Sequence, residues 1–118
     1  MTGTEFEEYL CNLYISRGYR VKHTGKSGDF GCDLLLSRNG HKTAIQAKRY
    51  SSPVGVKAIQ EVYGAKGYYG TEHCAVITNS YFTSAAKKLA DKLGVQLIDR
   101  SQLISYINQI QKKKGVNV

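Results

Sequence analysis

Asp33, Gln46 and Lys48 are the residues whose types and spacing allow joint chemistry in this chain. They flank Asn39-Gly40, a dipeptide whose two residues tolerate the positive φ of a type I′ turn and which is the strongest short-range signal for a β-hairpin. With those two residues as the loop, Arg38 faces His41, Leu36 faces Thr43, Leu34 faces Ile45 and Asp33 faces Gln46. Side chains alternate with a period of two, so Asp33, Gln46 and Lys48 share one face while Leu34, Leu36, Ile45 and Ala47 point the other way. A slip of one residue would scatter the set. The register gathers a carboxylate, an amide oxygen and an amine at the hairpin end far from its turn, beside a glycine-rich stretch from Gly25 to Gly31. That combination suits a hard cation and a phosphate.

Magnesium takes oxygen ligands and usually only one or two carboxylates, leaving room for water and phosphate oxygens. Asp33 supplies one carboxylate, the Ala47 carbonyl a backbone oxygen, and Gln46 an amide oxygen where a carboxylate would be more usual. Lys48 is placed to orient or deprotonate an attacking water and to offset charge on the phosphate. The competing explanation is a cross-strand ion pair between Asp33 and Lys48 on a solvated face, worth about 0.2–1 kcal/mol. Spacing alone weighs the two equally. The surroundings favour chemistry, because Asp29, Asp33, Gln46, Lys48 and Arg49 interrupt strands otherwise built for burial, where unpaired charge is costly.

The elements that must position this group follow from periodicity. Phe6, Leu10, Leu13 and Tyr14 form one apolar stripe over Thr2 to Arg17, with Gly18 placed to end the helix. Two capping boxes compete at its start, Thr2 with Glu5 or Thr4 with Glu7, and only the second would occupy Glu7 structurally. A glutamate in a first helical turn also complements the macrodipole, so position alone favours a structural Glu7. If the helix packs across the sheet, Glu7 reaches the Asp33 group.

Tyr19 to His23 reads as a strand. Gly25-Lys26-Ser27 invites comparison with a phosphate-binding P-loop, but Arg20 stands where that motif needs its first glycine. Beyond the hairpin come a helix from Val56 to Tyr68 through Val56, Ile59, Val62 and Tyr63, with Ala58, Ala65 and Gly67 allowing close packing, and a doubly buried strand from His73 to Thr78. A helix from Tyr81 to Leu93 closed by Gly94, a strand from Val95 to Asp99, and a helix from Gln102 to Gln111 with Leu103, Ile104, Ile107 and Ile110 inward complete the order. Residues 112–118 read as a basic, frayed tail. The pattern α-β-β-β-α-β-α-β-α predicts an α/β fold: a mixed central sheet with the hairpin strands central and helices on both faces.

At 118 residues the chain is sized for one domain, 1–118, and its formal charge of +8 favours a polyanionic partner, most commonly nucleic acid. Neither a signal peptide nor a membrane-length apolar run is present, which predicts a soluble, cytoplasmic protein with no membrane partner. Cys11, Cys32 and Cys74 lack metal-ligand spacing and read as reduced, buried residues. His23, His41 and His73 are scattered without ligand spacing and receive no catalytic role. Most of the nine tyrosines read as core or rim packing.

The segments Ser27-Gly-Asp-Phe-Gly-Cys-Asp33, Ala44-Ile-Gln-Ala-Lys-Arg-Tyr50 and Val76-Ile-Thr-Asn79, with Phe82-Thr83 and Ala85, resemble the Mrr-type restriction endonuclease catalytic domain. Gly3-Thr-Glu-Phe-Glu7 and Val95-Gln-Leu-Ile-Asp99 with Leu103 extend the resemblance over nearly the whole chain. It implies the restriction-endonuclease-like fold of the PD-(D/E)xK superfamily, with a four- to five-stranded mixed sheet, and Mg²⁺-dependent DNA cleavage leaving 5′-phosphates, Mn²⁺ substituting. By the same resemblance, Asp33 matches the metal-binding aspartate, Gln46 the acidic position in its Gln-x-Lys variant, Lys48 the lysine, and Glu7 a helix-borne glutamate. Asp29, Lys26, Ser27, Arg49 and Tyr50 are then expected behind that centre or against the DNA.

Such enzymes usually carry a separate domain that recognises modified DNA. A chain of this length leaves no room for one, which points to a homodimer, a separate recognition subunit or DNA structure as the source of specificity. Two alternatives remain open: a Holliday-junction or branched-DNA resolvase acting as a homodimer, and a non-cleaving DNA-binding module with the nuclease fold.

Overall fold

The computed structural model describes residues 2–24 and 30–116, with backbone only from residue 113 onward. The expectations for Lys26, Ser27 and Asp29 lie outside the described residues. The order is α1 (Gly3–Ser16), β1 (Arg20–His23), β2 (Leu34–Arg38), β3 (His41–Lys48), α2 (Val56–Tyr69), β4 (His73–Thr78), α3 (Ser84–Leu93), β5 (Gln96–Ile98) and α4 (Arg100–Val116).

The five strands form one sheet in the order β1-β2-β3-β4-β5. The β1-β2 and β2-β3 pairs are antiparallel, and the β3-β4 and β4-β5 pairs are parallel. Hairpin register is as expected: Leu34 pairs with Ile45, Leu36 with Thr43 and Arg38 with His41. Its turn has φ of 53° at Asn39 and 82° at Gly40, the positive pair that a type I′ turn requires. β3 is the middle strand, and its last residues, Gln46 to Lys48, run past the start of β2 while still pairing with β4.

Alternation along β3 and β4 divides the core in two. Ala44, Cys74 and Val76 pack with Ala58, Ile59, Val62 and Ala65 of α2 and with Ala86 and Ala90 of α3. Leu34, Leu36, Ile45, Ala75 and Ile77 pack with Phe6, Leu10, Leu13 and Tyr14 of α1 and with Leu103 of α4. Thr2 caps α1 in a reciprocal box with Glu5, which leaves Glu7 out of any capping role.

Several faces and boundaries differ from expectation. Val56 and Tyr63 are exposed, and the buried stripe of α2 is Ala58, Ile59, Val62 and Ala65. At a period of 3.6 residues, both lie more than roughly 100° from the middle of that stripe. Gly67 is exposed with nothing near it and plays no packing part. Ile104 faces outward beside buried Leu103. Tyr81 and Phe82 precede α3, whose cap is the Thr83 hydroxyl accepting from Ala86 N at 3.1 Å, while Phe82 bridges to Val54. α4 continues to Val116, through much of the stretch expected to fray. Of the tyrosines read as core or rim packing, Tyr14 is in the core, while Tyr50, Tyr63, Tyr68 and Tyr81 are exposed.

The three cysteines are free and buried. Burial pushes each thiol up, that of Cys32 to about 11, which disfavours the reactive thiolate. Among the described residues no helix is long and apolar enough to cross a membrane.

Candidate active site

The group around Asp33 is built where β2 starts and β3 ends. The chain arrives through Cys32, whose carbonyl accepts from Thr24 Oγ1 at 2.6 Å, and Asp33 is clamped by Thr24 N donating to its carbonyl at 3.2 Å. Its own N–H donates to the Ile45 carbonyl at 2.7 Å. Asp33 lies just outside the regular ladder. Strict alternation would place Cys32 with Leu34, yet Cys32 packs on the α2 side and Leu34 on the α1 side. The expected face shared by Asp33, Gln46 and Lys48 is therefore corrected at Asp33. The strand switches faces there, which leaves its carboxylate at the strand end between the two helical layers.

Asp33 Oδ2 accepts from the Ala47 amide at 2.7 Å. The N–H and C=O of one strand residue point toward the same neighbouring strand. The Ala47 carbonyl is thus directed to the same side, past the start of β2. Gln46 and Lys48 lie on the α2 side. Gln46 is 7% exposed, and its Oε1 is buried without a hydrogen-bond partner among the described residues. Lys48 Nζ lies 3.7 Å from Glu61 Oε1 on α2 and 5.9 Å from the centre of the Tyr50 ring.

Electrostatics tie these residues together. Burial holds the Asp33 carboxyl above the usual range, opposed by the Ala47 N–H and the Lys48 charge and reinforced by Glu61. Glu7, half-buried on α1, is also pushed up, first by burial and then by the negative charge of Asp33, with His23 pulling the other way. The two carboxylates, one at the start of β2 and one on α1, are close enough to repel. With the orphaned Gln46 oxygen, they offer oxygen donors of the kind a divalent ion takes, with Lys48 as the neighbouring positive charge.

Glu61 was not singled out in the sequence. Nothing in its local pattern marks it, because its place beside Lys48 depends on how α2 crosses the sheet. Gly31 fixes that crossing: its φ is +77°, and an added Cβ would stand 2.1 Å from Glu61 O. Downstream, Tyr50 N donates to Asn79 Oδ1 at 2.8 Å and Ser80 Oγ to Ser52 O at 3.0 Å, holding the exit of β3 against that of β4. A cleft of about 190 Å³ beside Lys48 is lined by Tyr50, Gly55, Lys57 and Glu61. Tyr50 is exposed at its rim, while Arg49 is exposed on the α1 side, close enough to Glu5 to lower that carboxyl.

Residues 1–107 match the family model of the Mrr catalytic domain, described as a restriction endonuclease. The chain belongs to the Mrr-type restriction endonuclease family. Within it, the chain is 32% identical over 126 aligned positions to the type IV methyl-directed restriction enzyme EcoKMrr of Escherichia coli K12. That alignment covers 99% of this chain and 41% of the relative, so the chain spans about two-fifths of the length of the curated relative it matches. Among solved structures, the DNA modification-dependent restriction endonuclease AspBHI superposes with a TM-score of 0.70 at 20% identity, covering 89% of this chain and 30% of that one. MspJI restriction endonuclease in complex with a 27-mer oligonucleotide superposes with a TM-score of 0.57 at 21% identity, covering 85% and 25%. These likenesses show the restriction-endonuclease fold for this Mrr-type chain.

Proposed function

We propose that this Mrr-type chain is a Mg²⁺-dependent DNA endonuclease domain that hydrolyses phosphodiester bonds, with modified DNA as its substrate class. The observation that carries the metal-dependent reading is Gln46 Oε1, a buried acceptor without a partner among the described residues, on the strand that also carries Lys48 and beside Asp33, whose charge acts on Glu7 of α1. A buried unpaired acceptor costs about 1–3 kcal/mol, and a cation would relieve it. Asp33, Gln46, the Ala47 carbonyl and Glu7 are the groups that would hold the ion. When bound, Mg²⁺ supplies charge to polarise the phosphate and to acidify water.

The chain's own residues do the rest. Asp33 is oriented by the Ala47 amide through Oδ2, and its other oxygen has no hydrogen bond among the described residues. Lys48, steadied by Glu61, orients the attacking water and offsets charge on the phosphate. Water oxygen bonds to phosphorus as the bond from phosphorus to the 3′-oxygen breaks, leaving a 5′-phosphate. Lys57 beside the cleft and exposed Arg49, with the net charge of +8, favour the DNA backbone.

The modified-DNA reading is supported by the methyl-directed and modification-dependent relatives. Incubation of the purified protein with unmethylated, methylated and four-way-junction DNA in Mg²⁺ or Mn²⁺ tests it. Cleavage strongest on methylated duplex, absent in EDTA and absent in Asp33→Ala and Lys48→Ala, is expected. Cleavage no greater than in those variants would overturn the enzyme reading. A preference for junctions would redirect it to a resolvase.

A further inference from the structure

The other end of β3 carries a second group of potential metal donors, separate from the proposed nuclease centre. His41 opens β3 and Lys48 closes it, roughly 23 Å apart at the usual rise of a strand. At the His41 end, the parallel pairing of Thr43 with His73 brings β4 alongside. Glu72 N donates to Lys42 O at 3.1 Å, and Thr71 Oγ1 donates to His73 O at 2.9 Å. The backbones presenting His41, Glu72 and His73 are therefore bonded to each other or to their own turn.

The side chains converge. His41 Nδ1 lies 2.6 Å from Glu72 Oε2, and the two imidazole rings are 6.2 Å apart between centres. One donor atom from each of the three residues falls within 4.8 Å of the others. Tetrahedral ligands at zinc bond lengths of about 2.0–2.1 Å stand roughly 3.3 Å from each other, longer than the 2.6 Å contact and inside the 4.8 Å within which the three donors lie. His41 and Glu72 side chains are 67% and 50% exposed, so the adjustment needs no repacking.

We propose that His41, Glu72 and His73 bind a single Zn²⁺ ion, with water completing its coordination. Two imidazoles and a carboxylate select zinc and its transition-metal neighbours over magnesium, which takes oxygen donors. The ion ties the hairpin's turn end to the segment feeding β4. It is a tether remote from the phosphodiester chemistry and independent of the proposed function.

The test uses the full chain with Glu7→Gln and Asp33→Asn, so that only the distal group has its metal-binding acid. Equilibrium dialysis against Zn²⁺, read with a chromogenic chelator, is expected to show one bound equivalent. His41→Ala and His73→Ala should each weaken binding at least tenfold, excess Mg²⁺ should not compete, and Co²⁺ should give the visible absorption of a tetrahedral site. The two histidine variants in the otherwise unmodified chain should cleave DNA with Mg²⁺ as the parent does. Absence of zinc uptake, or unchanged affinity in the histidine variants, would overturn the site. Circular dichroism confirms folding, and if an alanine variant unfolds, Glu72→Gln decides by the same criterion.

Discussion

Asp33 Oδ2 and the Ala47 amide are joined by a 2.7 Å hydrogen bond, so a carboxylate takes the ladder position that one more residue of β2 would have filled. Substituting the ladder by a side chain brings an acid to the middle strand of the sheet without leaving the Ala47 N–H unpaired. Its charge is then held in a half-buried place, near Glu7, by the fold itself.

That charge has a consequence for stability. Asp33 and Glu7 both have folded pKa values above their ordinary 3.8 and 4.5. A raised carboxyl contributes stability below its unfolded pKa and loses it as pH rises through the folded value. At neutral pH the metal-free protein therefore carries a repulsive pair. Asp33→Asn with Glu7→Gln should melt higher than the parent at pH 7 without Mg²⁺, and the difference should vanish as pH falls below the ordinary carboxylate values. Mg²⁺ should raise the melting temperature of the parent alone. Equal Mg²⁺ shifts in both proteins would remove these carboxylates from the ion's shell.

Gln46→Leu separates stability from activity in the same way. Leucine replaces a buried acceptor without a partner among the described residues by an apolar side chain of similar size, on the face of β3 toward α2. Denaturant titration should show a change of less than about 1 kcal/mol or a gain. Plasmid cleavage should fall by at least about tenfold, the loss of roughly 1.4 kcal/mol of transition-state stabilisation.

Glu61→Gln tests the partner of Lys48. Both side chains are partly exposed, at 20% and 36%, so the stability cost should stay below about 1 kcal/mol. The Glu61 charge raises the Asp33 pKa, so its removal should move the acid limb of the pH–rate profile to lower pH. An unmoved limb would detach Glu61 from the site.

Gly31→Ala and Gly67→Ala should act in opposite directions. At Gly31 the positive φ and the 2.1 Å approach to Glu61 O together should cost at least about 2 kcal/mol, with loss of cleavage as α2 is pushed from Lys48. Gly67 lies on the exposed face of α2 with open space around it, and alanine there should add about 0.5–1 kcal/mol in urea denaturation.

What the sequence by itself determined is the hairpin. Asn39 and Gly40 can adopt positive φ at little steric cost, and a period of two then leaves one register that buries Leu34, Leu36 and Ile45, so Gln46 and Lys48 could be placed together from residue types alone. The capping of α1 was legible only as a choice, and the structure took the Thr2–Glu5 box that leaves Glu7 free for the site. Tertiary structure alone decided the rest. The change of face at Asp33 follows from its contacts to Thr24 and Ala47, the place of Glu61 beside Lys48 from the close crossing at Gly31, and the meeting of His41 with Glu72 and His73 from the parallel pairing of β3 with β4. Local sterics act over a few residues and can be read in order. Proximity between residues 30 positions apart is settled by which surfaces of the folded chain can be buried together.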